Sequence, residues 1–211
     1  MREFVDKLVA RYPILMDNQK ELLQAYAVLE ECYSENGKLL IAGNGGSASD
    51  AEHIVGELMK SFCLQRNLDA VLTDKLARVD SQIGKELSGK LQGALPAISL
   101  ASHIGFSTAF LNDVDGRMCF AQQIIGYGNK EDVFLGISTS GNSQDVIYAA
   151  VAARAKGLKV IGLTGYGGGK LAEFTDVLIA VKERETYKVQ ELHLPIYHCL
   201  CRMLEKRFWG L

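Results

Sequence analysis

What the chain lacks narrows the field first. Its five cysteines (Cys32, Cys63, Cys119, Cys199 and Cys201) form an odd, scattered set with no CxxC pair. That argues against a disulfide frame and fits reduced thiols in a cytoplasm. The formal net charge is only −2, so no basic field points to nucleic acid or to an anionic membrane. No apolar run approaches the ~20 residues of a membrane span. The opening stretch MREFVDKLVARYPILMDNQKELL alternates charged and apolar residues at helical spacing, unlike a signal peptide. Internal repeats of 20 to 50 residues and low-complexity tracts are missing too. A cytoplasmic protein with no nucleic-acid or membrane partner is the expectation.

What is present is ordinary globular material. The 211 residues are 48% hydrophobic and 23% charged, enough for one sizeable core rather than two. Residues 1–36 read as a helical segment with a break or new start at Pro13. Short, continuously apolar stretches at 39–43, 96–100, 132–137, 159–164 and 176–181 read as buried strands. Helical patterns separate them, and the arrangement predicts a doubly wound α/β fold, a five-stranded parallel sheet flanked by helices. The last helical pattern runs from about Tyr187 to Phe208, and Pro195 within it predicts a helix that begins or kinks there. Residues 64–95 are polar and partly helical, and read as an insertion, a lid or an interface arm in an otherwise single domain spanning 1–211.

Two clusters fall where strands end, which is where ligands bind in such sheets. GISTSGNS, residues 136–143, follows a buried strand and leads into a helix near Asn142. Free N–H groups, a helix dipole and the hydroxyls of Ser138, Thr139, Ser140 and Ser143 suit an anion such as a phosphate. Serine and asparagine also form plain turns and caps. Without a lysine in the loop the Walker pattern fails, which argues against a nucleoside triphosphate. GNGGSAS, residues 43–49, repeats the logic: glycines allow close backbone approach, and Asn44 and Ser47 supply polar contacts.

Two further motifs lie on helices. His53 and Glu57 are four apart and share a helix face, either as a surface pair or as a metal or acid/base pair. VQELHLPIYHCL, residues 189–200, offers Gln190, Glu191, His193 and His198 as partners. His103, after the third strand, reads as a polar cap.

Together GNGGSASDAEHIVGEL, GISTSGNS, GLTGYGGGKLAEFTD and VQELHLPIYH resemble the bacterial sedoheptulose-7-phosphate (phosphoheptose) isomerases of the sugar-isomerase (SIS) domain superfamily. The likeness spans nearly the whole chain outside 64–95. GISTSGNS alone marks the superfamily, whereas its combination with HxxxE and QExHxxxxH is more specific. The resemblance implies a flavodoxin-like three-layer sandwich, assembled as a homotetramer with active sites between subunits. It implies conversion of sedoheptulose 7-phosphate to D-glycero-D-manno-heptose 7-phosphate. It also implies substrate contacts from Asn44, Gly45, Gly46, Ser47, Glu57, Asn112, Asp113, Ser138, Thr139, Ser140, Ser143 and Gln190. A zinc ion per subunit is implied on His53, Glu57, Gln190 and His198.

An aldose–ketose shift needs a base to move a proton between carbons and an acid to move one between oxygens. Glu57 is the candidate base, through an enediol, and His198 the candidate acid, with Asp113 orienting the reacting end. One difficulty is spatial. Eight residues of continuous helix span ~12 Å, so Gln190 and His198 share one ion only if Gln190 precedes the helix or comes from another subunit. The chain departs from the family in the length of 64–95 and at Ser61 and Lys188, where an arginine or similar polar group is expected near substrate. Two alternatives follow: an isomerase of another ketose phosphate, or a non-catalytic SIS-domain regulator of the type that associates with DnaA.

Overall fold

The computed structural model of the chain describes residues 1–210. Helix α1 (Arg2–Arg11) is followed by a 3-10 turn from Pro13 and by α2 (Gln19–Ser34). The proline starts the turn because its fixed φ suits a first helical position and its missing N–H is not needed there. Then come β1 (Leu39–Ala42) and α3 (Gly46–Met59). Within 64–95 lie α4 (Ala70–Val79) and α5 (Ser81–Lys90). Each is capped by an aspartate: Asp69 accepts from the Leu72 N–H, and Asp80 from those of Gln82 and Ile83.

The chain continues through β2 (Ala97–Ser99), α6 (Ile104–Phe110), α7 (Cys119–Tyr127) and β3 (Val133–Ser138). It closes with α8 (Gln144–Ala155), β4 (Lys159–Thr164), β5 (Val177–Ala180) and α9 (Thr186–Trp209). All five strands are parallel, in the order β2-β1-β3-β4-β5. This is the flavodoxin-like order, in which the direction of winding reverses between β1 and β3.

Strand period sorts the core into two layers. Leu39, Ile41, Leu135, Ile137, Ile161 and Leu163 face α1, α2, α3 and α9. Leu40, Ala42, Phe134 and Val160 face the opposite way, against α7 and α8. Both faces are covered, as a wholly parallel sheet requires. Among the described residues no helix is long and apolar enough to cross a membrane.

Two expectations change. Helix α9 does not begin at Pro195 but at Thr186, and it runs through the proline. The lost backbone bond is tolerated because Pro195 is buried with Val189, Ile196, Tyr197 and Leu200, and packing of this face outweighs one missing N–H. Residues 64–95 divide into two unlike parts. Helices α4 and α5 bury no residue except Gly84, and Val71, Val79 and Ile83 stand exposed. Their base is the reverse: Arg66 is fully buried, and a bridge between Asn67 and Gln92 closes the neck.

Candidate active site

The hydroxyl loop sits at the carboxyl end of β3, beside the β1 loop at the switch point. Ser138 is buried, and its Oγ lies 2.9 Å from that of Ser143. Ser143 occupies the N-cap position of α8, yet its hydroxyl makes no capping bond, so it faces Ser138 instead. Gly141 makes this shape possible: its φ is +67°, and a Cβ there would run into the Gly168 carbonyl oxygen. The loop is braced from behind, with the Leu171 N–H donating to the Gly141 carbonyl and the Lys170 N–H to Asn142 Oδ1. A cavity of about 470 Å³ opens on Thr139 and Ser140 and is bounded by Tyr166 and Arg184. The Arg184 guanidinium lies 4.0 Å from the Tyr166 ring centre. Arg184 is the cation that the loop itself lacks; no spacing rule in the sequence pointed to it.

In the β1 loop, Gly46 and Ser47 belong to the first turn of α3 rather than to a free loop. A Cβ at Gly46 would lie 2.5 Å from Nε2 of Gln190, so the end of the Gln190 side chain packs directly on this glycine. Gln190 is thus delivered to the β1 loop. Asn44 Nδ2 donates to both oxygens of Asp145, at 3.0 and 2.9 Å. Asn112 and Asp113 lie exposed on a π-helical turn, Leu111–Asp115, where Asn112 Nδ2 donates to Asp113 Oδ1. Within one chain they bond to each other.

The second centre joins α3 to α9. His53 Nε2 lies 3.2 Å from Glu57 Oε1 and 3.3 Å from His198 Nε2. One ligand atom from each of these three residues falls within 4.8 Å of the other two. The tautomer follows from a chain of bonds. Tyr197 donates its hydroxyl hydrogen to Asp50 Oδ1 at 3.1 Å, so toward His53 Nδ1, at 3.0 Å, it accepts. Nδ1 then carries a proton, and Nε2 faces Glu57 and His198. Acceptor atoms so close together call for a proton or a cation between them. Two imidazoles and a carboxylate form a donor set that could hold zinc, and Tyr197, bonded to Asp50, fixes the orientation of the His53 ring. Neither residue was anticipated. A tyrosine one position before a histidine carries no sequence signal.

Burial first, and the neighbouring His53 charge second, hold His198 below the ordinary histidine range, so its ring is neutral near pH 7. Burial likewise raises Asp50. His198 also borders a groove of about 470 Å³ between α1 and α9, lined by Lys7, Arg11 and Arg202. This groove and the hydroxyl-loop cavity share no lining residue.

Two expectations fail within the chain. His193 does not join the other histidines. Five residues before His198 it points to the far side of α9, where it is fully buried. Gln190 does not precede the helix either, since α9 begins at Thr186; it lies ~12 Å along the axis from His198. His103 makes no capping bond to α6.

A family model described as the SIS domain matches residues 90–165. The phosphoheptose isomerase of Helicobacter pylori strain P12 is 36% identical over 207 residues, 98% of this chain and 94% of that protein. That of Burkholderia pseudomallei strain 1710b is 33% identical over 199 residues, 93% and 88% of the two chains. Among solved structures, phosphoheptose isomerase from Neisseria gonorrhoeae matches with a TM-score of 0.74 at 30% identity, over 97% of this chain and 95% of that one. The chain belongs to the phosphoheptose isomerases, enzymes of the SIS-domain fold that isomerise a phosphosugar.

Proposed function

We infer that the protein interconverts sedoheptulose 7-phosphate and D-glycero-D-manno-heptose 7-phosphate by proton transfer through an enediol. The observation that carries this reading is the convergence of His53, Glu57 and His198 from two helices in a chain of this family. A non-catalytic regulator would have no use for three proton-binding atoms held against one another.

The hydroxyls of Ser138, Ser140 and Ser143, with the N-terminus of α8, hold the phosphate at the inert end of the sugar. Fixing that end places the reacting carbons and lowers the entropic cost of the step. Glu57 takes the proton from one carbon and returns it to the other. Its Oε1 faces His53 at 3.2 Å and its Oε2 faces the exposed Lys60 Nζ at 3.5 Å, so Oε2 is the less tightly held oxygen. His198, neutral near pH 7, moves a proton between the two sugar oxygens. Zinc held by His53, Glu57 and His198 would compete with these proton transfers for the same atoms, and would supply polarisation of the substrate carbonyl in place of the His198 proton.

The assembly we infer is a homotetramer with active sites between subunits, working in the cytoplasm. Two observations favour a shared site: the hydroxyl cavity and the His198 groove are separate within one chain, and Gln190 lies too far along α9 to join its own His198. A second subunit can bring Gln190, Asn112 and Asp113 to the acid/base group.

Purified protein given sedoheptulose 7-phosphate should form the aldoheptose phosphate, read by NMR. Glu57→Gln should lower turnover by ~10²–10⁴-fold with the assembly intact. Failure of the wild type on every C5 to C7 ketose phosphate would overturn the reading.

A further inference from the structure

Below the proposed acid/base group, α3 and α9 meet at a second, wholly buried polar contact. Arg66 is 0% exposed and Glu205 1%. Arg66 Nε donates to Glu205 Oε1 at 2.8 Å, Nη1 to the Leu58 carbonyl at 2.7 Å, and Nη2 to the Glu57 carbonyl at 2.8 Å. Glu205 also accepts the backbone N–H groups of Phe62, Cys63 and Leu64, at 2.8, 2.8 and 3.0 Å. Helix α3 ends at Met59, so its last carbonyls have no partner within the helix. The planar fork of Arg66 satisfies two of them, and one belongs to Glu57 itself. On α9, Glu205 lies seven residues after His198, two turns further along the same face.

We propose that Arg66 and Glu205 are positioning residues, which set the separation of α3 and α9 and so hold His53 and Glu57 against His198. The two helices are pinned at two levels: the histidine–carboxylate group at one, the arginine fork at the other. A buried ion pair is a poor source of stability, since apolar replacements of similar volume are often neutral or better. Its fixed geometry is what an apolar pair would lack. The neck of the 64–95 segment thereby becomes part of the site's scaffold, although α4 and α5 project from it.

This inference rests on the isomerase and zinc reading above, so the test has arms that fail separately. Arg66→Lys keeps the charge but loses the fork, and the double variant Arg66→Met/Glu205→Met fills the space without polarity. Lys38→Met serves as a control, because Lys38 Nζ pairs with buried Asp132 at 2.6 Å at the opposite end of β1 and β3. Folded Arg66→Lys and the double variant should each lose ten- to a hundredfold in kcat, with KM little changed. Zinc affinity, read by competition with a chromophoric chelator, should weaken by the same factor, while Lys38→Met alters neither. Wild-type kcat and zinc affinity in the double variant would overturn the proposal, as would equal losses in Lys38→Met. A wild type without turnover defeats the isomerase reading alone and leaves the zinc arm to decide. If zinc does not bind either, the crystal structure of the double variant decides. An unmoved Glu57 relative to His198 refutes the proposal, and a displaced one supports it.

Discussion

The hydroxyl loop and the α3–α9 group are built in opposite ways. The loop is a local object: its serines lie within six residues, its shape comes from the left-handed Gly141, and its backbone braces come from the neighbouring segment 165–171. The α3–α9 group joins residues 145 apart in sequence, His53 and His198, behind a buried tyrosine and above a buried arginine. A local loop can bind an anion in many SIS-domain proteins whatever follows. The proposed proton transfer rests on the distant group, where a small shift between two helices changes every distance at once.

The sharpest break between the regions is kinetic. His198→Asn should lower kcat by ~10²–10⁴-fold while KM for the sugar phosphate stays near the wild-type value, as steady-state assays would show. A loss confined to KM would move His198 from chemistry to binding.

The next largest effect concerns the other histidine of α9, His193, which is fully buried. Neither ring nitrogen of His193 has a hydrogen-bond partner. Burial pushes its imidazole down to about 4, and the nearby Thr164 backbone pulls the other way by less, without reaching hydrogen-bond geometry. The unfolded chain binds this proton near the ordinary 6.5, so between about 6.5 and 4 it holds more protons than the native state. Stability should therefore fall as pH falls through that window, by ~3 kcal/mol over its full width. Urea unfolding at pH 7, 6 and 5 should show the slope, and His193→Leu should flatten it. Thr164 pairs in register with Ser138, so this loss should disturb the hydroxyl loop before the α3–α9 group.

Ser143→Ala should have the smallest effect and the opposite kinetic sign. Losing one hydrogen bond to a charged group costs ~1.5–3 kcal/mol, a rise in KM of ten- to about a hundredfold with kcat changed less. Equal losses in both constants would mean that the loop acts on the reacting end as well.

How much of this could be read in advance follows the same division. The five strands were legible because a parallel sheet buried on both faces demands continuous apolar runs. His53 and Glu57 were legible as a pair because helical spacing places them on one face. Pro195 allowed a start or a kink, and the start fails because burial of the α9 face around it carries the helix through the proline. Arg66 was hidden inside a polar stretch that looked like a surface arm. Tyr197, Asp50 and Arg184 carry no local pattern at all.

The sequence alone determined the parallel sheet, the strand-end loops and the chemical identity of the acid/base candidates, because these depend on residue type and on spacings of two to four. Only the tertiary structure decided that His53 and His198 meet while His193 turns away, that Gln190 serves the β1 loop, and that Arg66 ties α3 to α9. The physical reason is that helix phase and helix packing, not separation along the chain, set which side chains share a volume.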